Sequence, residues 1–403
     1  MGGKASLFLI LGFSLIFMTA GNHFHRMALE TTDNAVSYYN QSKANYIANT
    51  GVNVVINKLF LDATQTDGTF NYNFDAGNCV VTLSTINAYQ NIRQLLAVGN
   101  FNNTTKTIRI VLKPSLFSKY AYFSNSEGTN INWATADTVW GPFHTNGDLR
   151  INGNPVFHGK VSVGGKEVIV SGKAKYLGGF QKGINIAIPT NGVTAVGGNA
   201  EASAIFTGKP LIYLDFRGDS IRYRFSTSGA WTYRLASTFA PNGVIYAQDA
   251  EVHVKGNVKG QYSLAVSGTS GTTGQIFIDD NIYYNTDPRT NPSSTDMLGL
   301  VAKRNVIITN NAANNSDVVI QASVYAETGS FTAQNHDTRP FSGKIDLYGG
   351  ITQKTRGPVG IIGSGGSITN GFSKRYRYDE RLLISYPPFF PGCGSFEVVS
   401  WLE

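Results

Sequence analysis

The segment Ala5–Ala20, ASLFLILGFSLIFMTA, is an uncharged apolar run preceded only by Met1, Gly2, Gly3 and Lys4. The chain then continues from Asn22 to Thr50 with no proline and no glycine, the two residues that end helices most reliably. An apolar half leading directly into a polar half of one long helix places this end of the chain at a membrane. Leu7, Phe8, Leu11, Leu15 and Phe17 are its expected lipid-facing core.

Three processing outcomes fit such a run. A secretory signal needs small residues at its cleavage site, and Met18-Thr19-Ala20 before Gly21 is a poor version because Met is large. A transmembrane anchor normally takes about 20 apolar residues, slightly more than this run supplies. A leader cut after Gly2 or Gly3 would leave the apolar run on the mature N terminus.

Behind the run, Ala28, Ala35, Tyr38, Tyr39, Tyr46, Val52, Val55, Ile56 and Leu59 fall mostly on one helical stripe. The stretch Ser42–Leu59 (SKANYIANTGVNVVINKL) and the apolar run before it resemble the N termini of type IV pilin-like and pseudopilin-like subunits, over roughly the first sixty residues. The resemblance implies partnership with other pilin-like subunits through this helix, and contact with membrane lipid before assembly. Major pilins carry a glutamate five residues after the cut, where this chain has Leu7 or Phe8. Its absence resembles a minor or tip subunit more than a repeating shaft subunit. A single-pass anchor with a helical stalk is the plainer alternative.

The composition suits an exported, strand-rich protein: 15% charged residues, Gly 44, and a formal net charge of +7 over 403 residues. Lys and Arg form no dense stripe, so no nucleic-acid partner is expected. The short basic run Lys374-Arg375-Tyr376-Arg377 reads as solvated surface. Two cysteines, Cys79 and Cys393, exclude a cysteine-rich scaffold and CxxC zinc sites. They could pair across a very long loop, or stand separately as small core residues.

The expected fold is mainly β with one long N-terminal helix. Residues 1–62 form the helix, and 63–114 a small antiparallel sheet from Thr69–Phe74, Cys79–Ile86, Ile92–Val98 and Thr107–Lys113. Residues 115–140 are an aromatic junction. From 141 to 373, runs of three to five apolar residues alternate with Gly/Asn corners about every 20 to 30 residues. That texture predicts a parallel β-helix, because strands this short bury a face only by stacking. A β-sandwich is the alternative. A hairpin insertion is expected near 211–236, and 374–403 as a cap whose charges and prolines blunt an open edge. The stretch Gly141–Leu149 and the C terminus also resemble an uncharacterised bacterial exported family, which implies architecture and no chemistry.

Candidate chemistry is sparse. Asp279-Asp280, with Asp249 and Glu251 about one coil earlier, is the best carboxylate set for polysaccharide cleavage. Such a pair at a strand end is more often a turn satisfying its own backbone. His144, His158 and His253 lack carboxylates or cysteines at ligand spacing, so no metal is expected, and no cofactor. Walker, Rossmann, GxSxG and HExxH motifs do not occur, and Gly164-Gly165, Gly178-Gly179 and Gly363–Gly366 read as corners or loops. Tyr213, Tyr223 and Tyr233 are candidates for binding a surface polysaccharide or a protein. The function expected is non-enzymatic display by a minor or tip subunit at the bacterial inner membrane, with the body exported. The rivals are an anchored polysaccharide-acting enzyme and a polymerising envelope scaffold.

Overall fold

The computed structural model describes residues 2–74, 77–87, 90–128, 131–135, 137–363 and 368–403. Met1 and Ser364, Gly365 and Gly366 of the last glycine loop lie outside them. The chain is mainly β with one long N-terminal helix and mixed sheets. It divides into two units, residues 1–113 with 395–403, and residues 114–394.

In the first unit, helix α1 runs unbroken from Gly2 to Leu61. It is long and apolar enough to cross a membrane, and none of its most apolar window is buried. Leu7, Phe8, Leu11, Leu15 and Phe17 are all more than half exposed. The buried stripe is Ala44, Ile47, Ala48, Val52, Val55 and Leu59, spaced at three and four residues. Tyr38, Tyr39 and Tyr46, expected on that stripe, are exposed. Alanines take the inner face because sheet and helix approach too closely for a ring there. A Cβ on Gly99 would lie 2.4 Å from the Ala44 carbonyl oxygen, and one on Gly51 2.4 Å from Cys79 Sγ.

The sheet under α1 is an antiparallel meander, β1 (Gly68–Phe74), β2 (Gly77–Asn87), β3 (Ile92–Phe101) and β4 (Thr104–Leu116). Phe70, Val81, Ala97 and Ile108 are opposite one another across it. Asn102 and Asn103, at φ 44° and 61°, make the two-residue turn into β4, a backbone that Asn tolerates well. A fifth strand comes from the other end of the chain: Gly392–Leu402 pairs with β4. Residues 374–403, expected together as a cap, therefore divide between the two units.

In the second unit the strands pair mostly in parallel. Ile245, Leu264, Leu300, Val324, Ile351, Tyr122, Phe143, Val161 and Phe180 are successive partners in one ladder. A second ladder runs Phe216, Gly256, Ile282, Ile320, Leu347, Tyr376, Val139, Phe157, Tyr176. A third holds Ile212, Val252, Ile276, Val306 and Phe331, and Trp133, Ile151 and Ile169 form a shorter one. Nearly all of these side chains are buried, each contributing about 1.5–3 kcal/mol when fully so. In both long ladders sequence order jumps back once, between Ile351 and Tyr122 and between Tyr376 and Val139. The chain thus enters this unit in the middle of its ladders, runs to one end, and starts again from the other.

Residues 115–140 contribute to this interior directly. Tyr122 and Trp133 are buried in it, with Tyr122 stacked on Phe143 at 4.9 Å, while Phe117 and Phe123 are buried in a separate cluster with Tyr325 and Phe390. Where the sequence order breaks, Glu127 meets Arg356 at 3.0 Å and Asp137 meets Lys374 at 3.0 Å. Lys374 is therefore not solvated surface. Strand Ile368–Tyr378 points Lys374 and Tyr376 the same way, and Asp137 compensates the buried ammonium.

Candidate functional site

Four of the sequence candidates, Tyr213, Glu251, His253 and Asp279, meet on the outward face of three neighbouring strands, Leu211–Gly218, Glu251–Val258 and Gln275–Tyr284. Alternation turns Ile212, Val252 and Ile276 inward and Tyr213, His253 and Phe277 outward, and parallel register puts those three side by side. Tyr213 stacks on His253 at 4.6 Å, and His253 on Phe277 at 4.9 Å.

In its own plane the His253 ring lies between two carboxylates. Nδ1 is 2.8 Å from Asp279 Oδ1 and Nε2 is 2.8 Å from Glu251 Oε1, and Thr309 donates to the same Asp279 oxygen at 2.7 Å. Burial works against the imidazolium charge, but the hydrogen bonds and charges of Asp279 and Glu251 outweigh it and hold the pKa above its ordinary value. With both ring nitrogens occupied, the cluster offers no free base.

Asp280 faces elsewhere. One of its oxygens accepts from the Asn281 backbone, and it lines a polar cavity of 350 Å³ with Asp215, Arg217, Lys255 and Tyr283. Asp279 and Asp280 thus have separate partners, and the carboxylate across the imidazole from Asp279 is Glu251. Asp249 sits in a left-handed corner at φ 49° with its amide bonded to Ser267 Oγ.

The three tyrosines of the hairpin, strands Leu211–Gly218, Ser220–Arg224 and Thr232–Leu235, split between faces. Tyr213 lies opposite Arg224, and Tyr233 opposite Arg222. Arg222 and Arg224 sit at 4.3 and 4.5 Å from the Trp231 ring, and Arg224 also lies 5.0 Å from the Tyr213 ring. The Tyr233 hydroxyl accepts from Arg222. Tyr223, one residue out of phase, packs on Phe206 at 5.0 Å instead. The face is therefore a cationic aromatic one built from Tyr213, Trp231 and Tyr233.

The remaining histidines are placed apart. His144 is fully buried between Ser162 and Asn146, and burial pushes its pKa down. His158 stacks on Trp140 at 5.4 Å. No His/Cys/Asp/Glu group suited to a metal occurs among the described residues. Cys79 is a buried free thiol, and Cys393 is half-buried against the Phe117–Phe390 cluster.

The sequence held one signal for the His253 cluster, the Glu251-Val-His alternation that puts Glu251 and His253 on one face. Asp279 and Thr309 join them only through strand register.

Residues 61–165 match a family described as a domain of unknown function, DUF4900. No curated protein matches the chain in sequence. Among solved structures, the competence-associated pilin ComZ from Thermus thermophilus aligns at 11% identity, over 90% of this chain and 97% of that one, with a TM-score of 0.29.

Proposed function

We propose that this chain is a membrane-anchored, non-enzymatic subunit of a type IV pilus-like or pseudopilus assembly, of the minor or tip kind. It displays the second unit outside the membrane for adhesion or cargo contact. One observation carries the reading: α1 is a single helix whose N-terminal apolar stretch has no buried residue, while its C-terminal turns are seated on a sheet. Such a helix needs an apolar medium for one half and tolerates water on the other. A bilayer before assembly, and other such helices afterwards, supply the first. Gly2 and Gly3 are the proposed processing site, and Leu7–Phe17 the packing core.

The displayed body is read as a parallel β-solenoid. Its support is the ladder register, in which Phe143, Val161 and Phe180 are direct neighbours 18 and 19 residues apart, and Leu264 and Leu300 are neighbours across a longer excursion. The cationic aromatic face around Tyr213, Trp231 and Tyr233 is the proposed contact surface for polysaccharide or protein.

N-terminal sequencing of the mature protein tests the reading. Gly3 or Lys4 as first residue supports it. Gly21 first means ordinary signal cleavage, and Met1 first an uncleaved anchor; either overturns pilus-like assembly.

A further inference from the structure

The parallel ladders end differently. At one end the hairpin strand Ser220–Arg224 covers the outer edge of Leu211–Gly218. At the other end, strands Glu167–Gly172, Lys175–Tyr176 and Phe180–Lys182 each pair on one side only among the described residues, with Leu149–Gly153, Val156–Phe157 and Val161–Val163. About half of the N–H and C=O groups of such a terminal strand have no ladder partner. Ile169, Val170 and Leu177 stand on this terminal turn 55%, 53% and 63% exposed. The edge is thus both unpaired and apolar.

Its charge decides what can cover it. Lys166, Lys173, Lys175 and Lys182 are all exposed on this turn and make no ion pair among the described residues. The single acid of the turn, Glu167, accepts the Tyr176 hydroxyl at 2.5 Å. Lysines on an exposed edge ordinarily prevent pairing with a like chain. The opposite end is cationic as well, through Arg224 and Arg234, Arg222 being paired with Asp215 at 2.7 Å, so stacking two copies end to end would bring like charges together. A second copy is therefore a poor occupant, and an acidic one a good one.

We propose that the edge of Glu167–Gly172 binds an extended acidic peptide segment of a partner protein as an added β-strand. Backbone groups of the edge supply the pairing, the exposed Ile169 and Val170 of that strand offer apolar contact, and the four lysines of the turn select acidic residues. A peptide fits better than an anionic polysaccharide because the unmet groups are backbone donors and acceptors at strand spacing. The inference rests on the ladders and not on pilus-like assembly, so it stands or falls independently of N-terminal processing.

The test uses the full chain in detergent micelles and a fluorescein-labelled ten-residue peptide alternating Glu with Val. Fluorescence anisotropy should show saturable binding. The triple variant Lys173→Glu, Lys175→Glu, Lys182→Glu should bind at least tenfold more weakly with an unchanged melting temperature. The same peptide N-methylated at alternate backbone amides should also lose at least tenfold. Equal binding of the N-methylated peptide, equal competition by polygalacturonate, or no saturable binding overturns the proposal. So does concentration-dependent dimerisation that the triple variant abolishes, which assigns the edge to a second copy.

Discussion

The guanidinium of Arg356 donates to Glu127 at 3.0 Å across 229 residues of sequence, with the Trp133 ring 4.0 Å from the guanidinium carbon. Glu127 also accepts from Tyr122 and from Trp133 Nε1, at 2.8 and 2.9 Å. This buried pair lies where the two sequence-ordered runs of parallel strands meet. This long-range ion pair ties the two runs together at their junction.

Removing one partner of that pair leaves a buried charge uncompensated. Arg356→Met is expected to destabilise the protein by about 3–5 kcal/mol. The double variant Arg356→Met, Glu127→Gln should recover a large part of that loss. Chemical denaturation followed by tryptophan fluorescence reads both, and a double variant no better than the single one contradicts the account.

The first unit depends on close approach between α1 and β3. Gly99→Val puts side-chain atoms into the Ala44 carbonyl and the Ala48 amide, 2.4 and 2.6 Å from where its Cβ would lie. Overpacking of this kind costs about 1–3 kcal/mol. Hydrogen exchange should rise over residues 44–59 and 92–101. Unchanged protection there would show that helix and sheet separate without cost.

His253 makes stability depend on pH. Its folded pKa is raised above the ordinary 6.5, after burial has been overcome by Asp279 and Glu251. The stabilisation is therefore fully present below about 6.5 and is lost as pH rises through the higher folded value. The other groups facing the ring are Tyr213 and Phe277, with Arg224 behind Tyr213. Melting temperatures of the parent and His253→Gln should differ more at pH 5.5 than at pH 9. A constant difference refutes the assignment.

The interior should respond as a packed core. Leu300→Ala, between Leu264 and Val324 in one of the two long ladders, is expected to cost about 2–5 kcal/mol. Leu177→Ala, on the exposed terminal turn, should change stability by less than about 0.5 kcal/mol. Thermal denaturation of the two variants makes the comparison, and equal losses would mean that Leu177 is covered.

The long helix and the β texture were legible in the sequence because both are local. An apolar run without Gly or Pro specifies a helix wherever it lies, and short β-branched runs between Gly/Asn corners specify strands. Most expected strands appear within a few residues of their places, Glu251–Val258 among them. Only the tertiary structure decided the pairings. Strand Gly392–Leu402 joins β4, Ile351 neighbours Tyr122, and Lys374 turns inward to Asp137, none of which a local pattern encodes. The candidate site divides the same way: alternation sets Glu251 and His253 on one face, but the register between strands brings Asp279 to the ring and sends Asp280 to a different cavity. Period tells a residue which face it occupies. Which neighbour it meets there is settled by hydrogen-bond register and by the burial of charge, and both depend on residues far away in the chain.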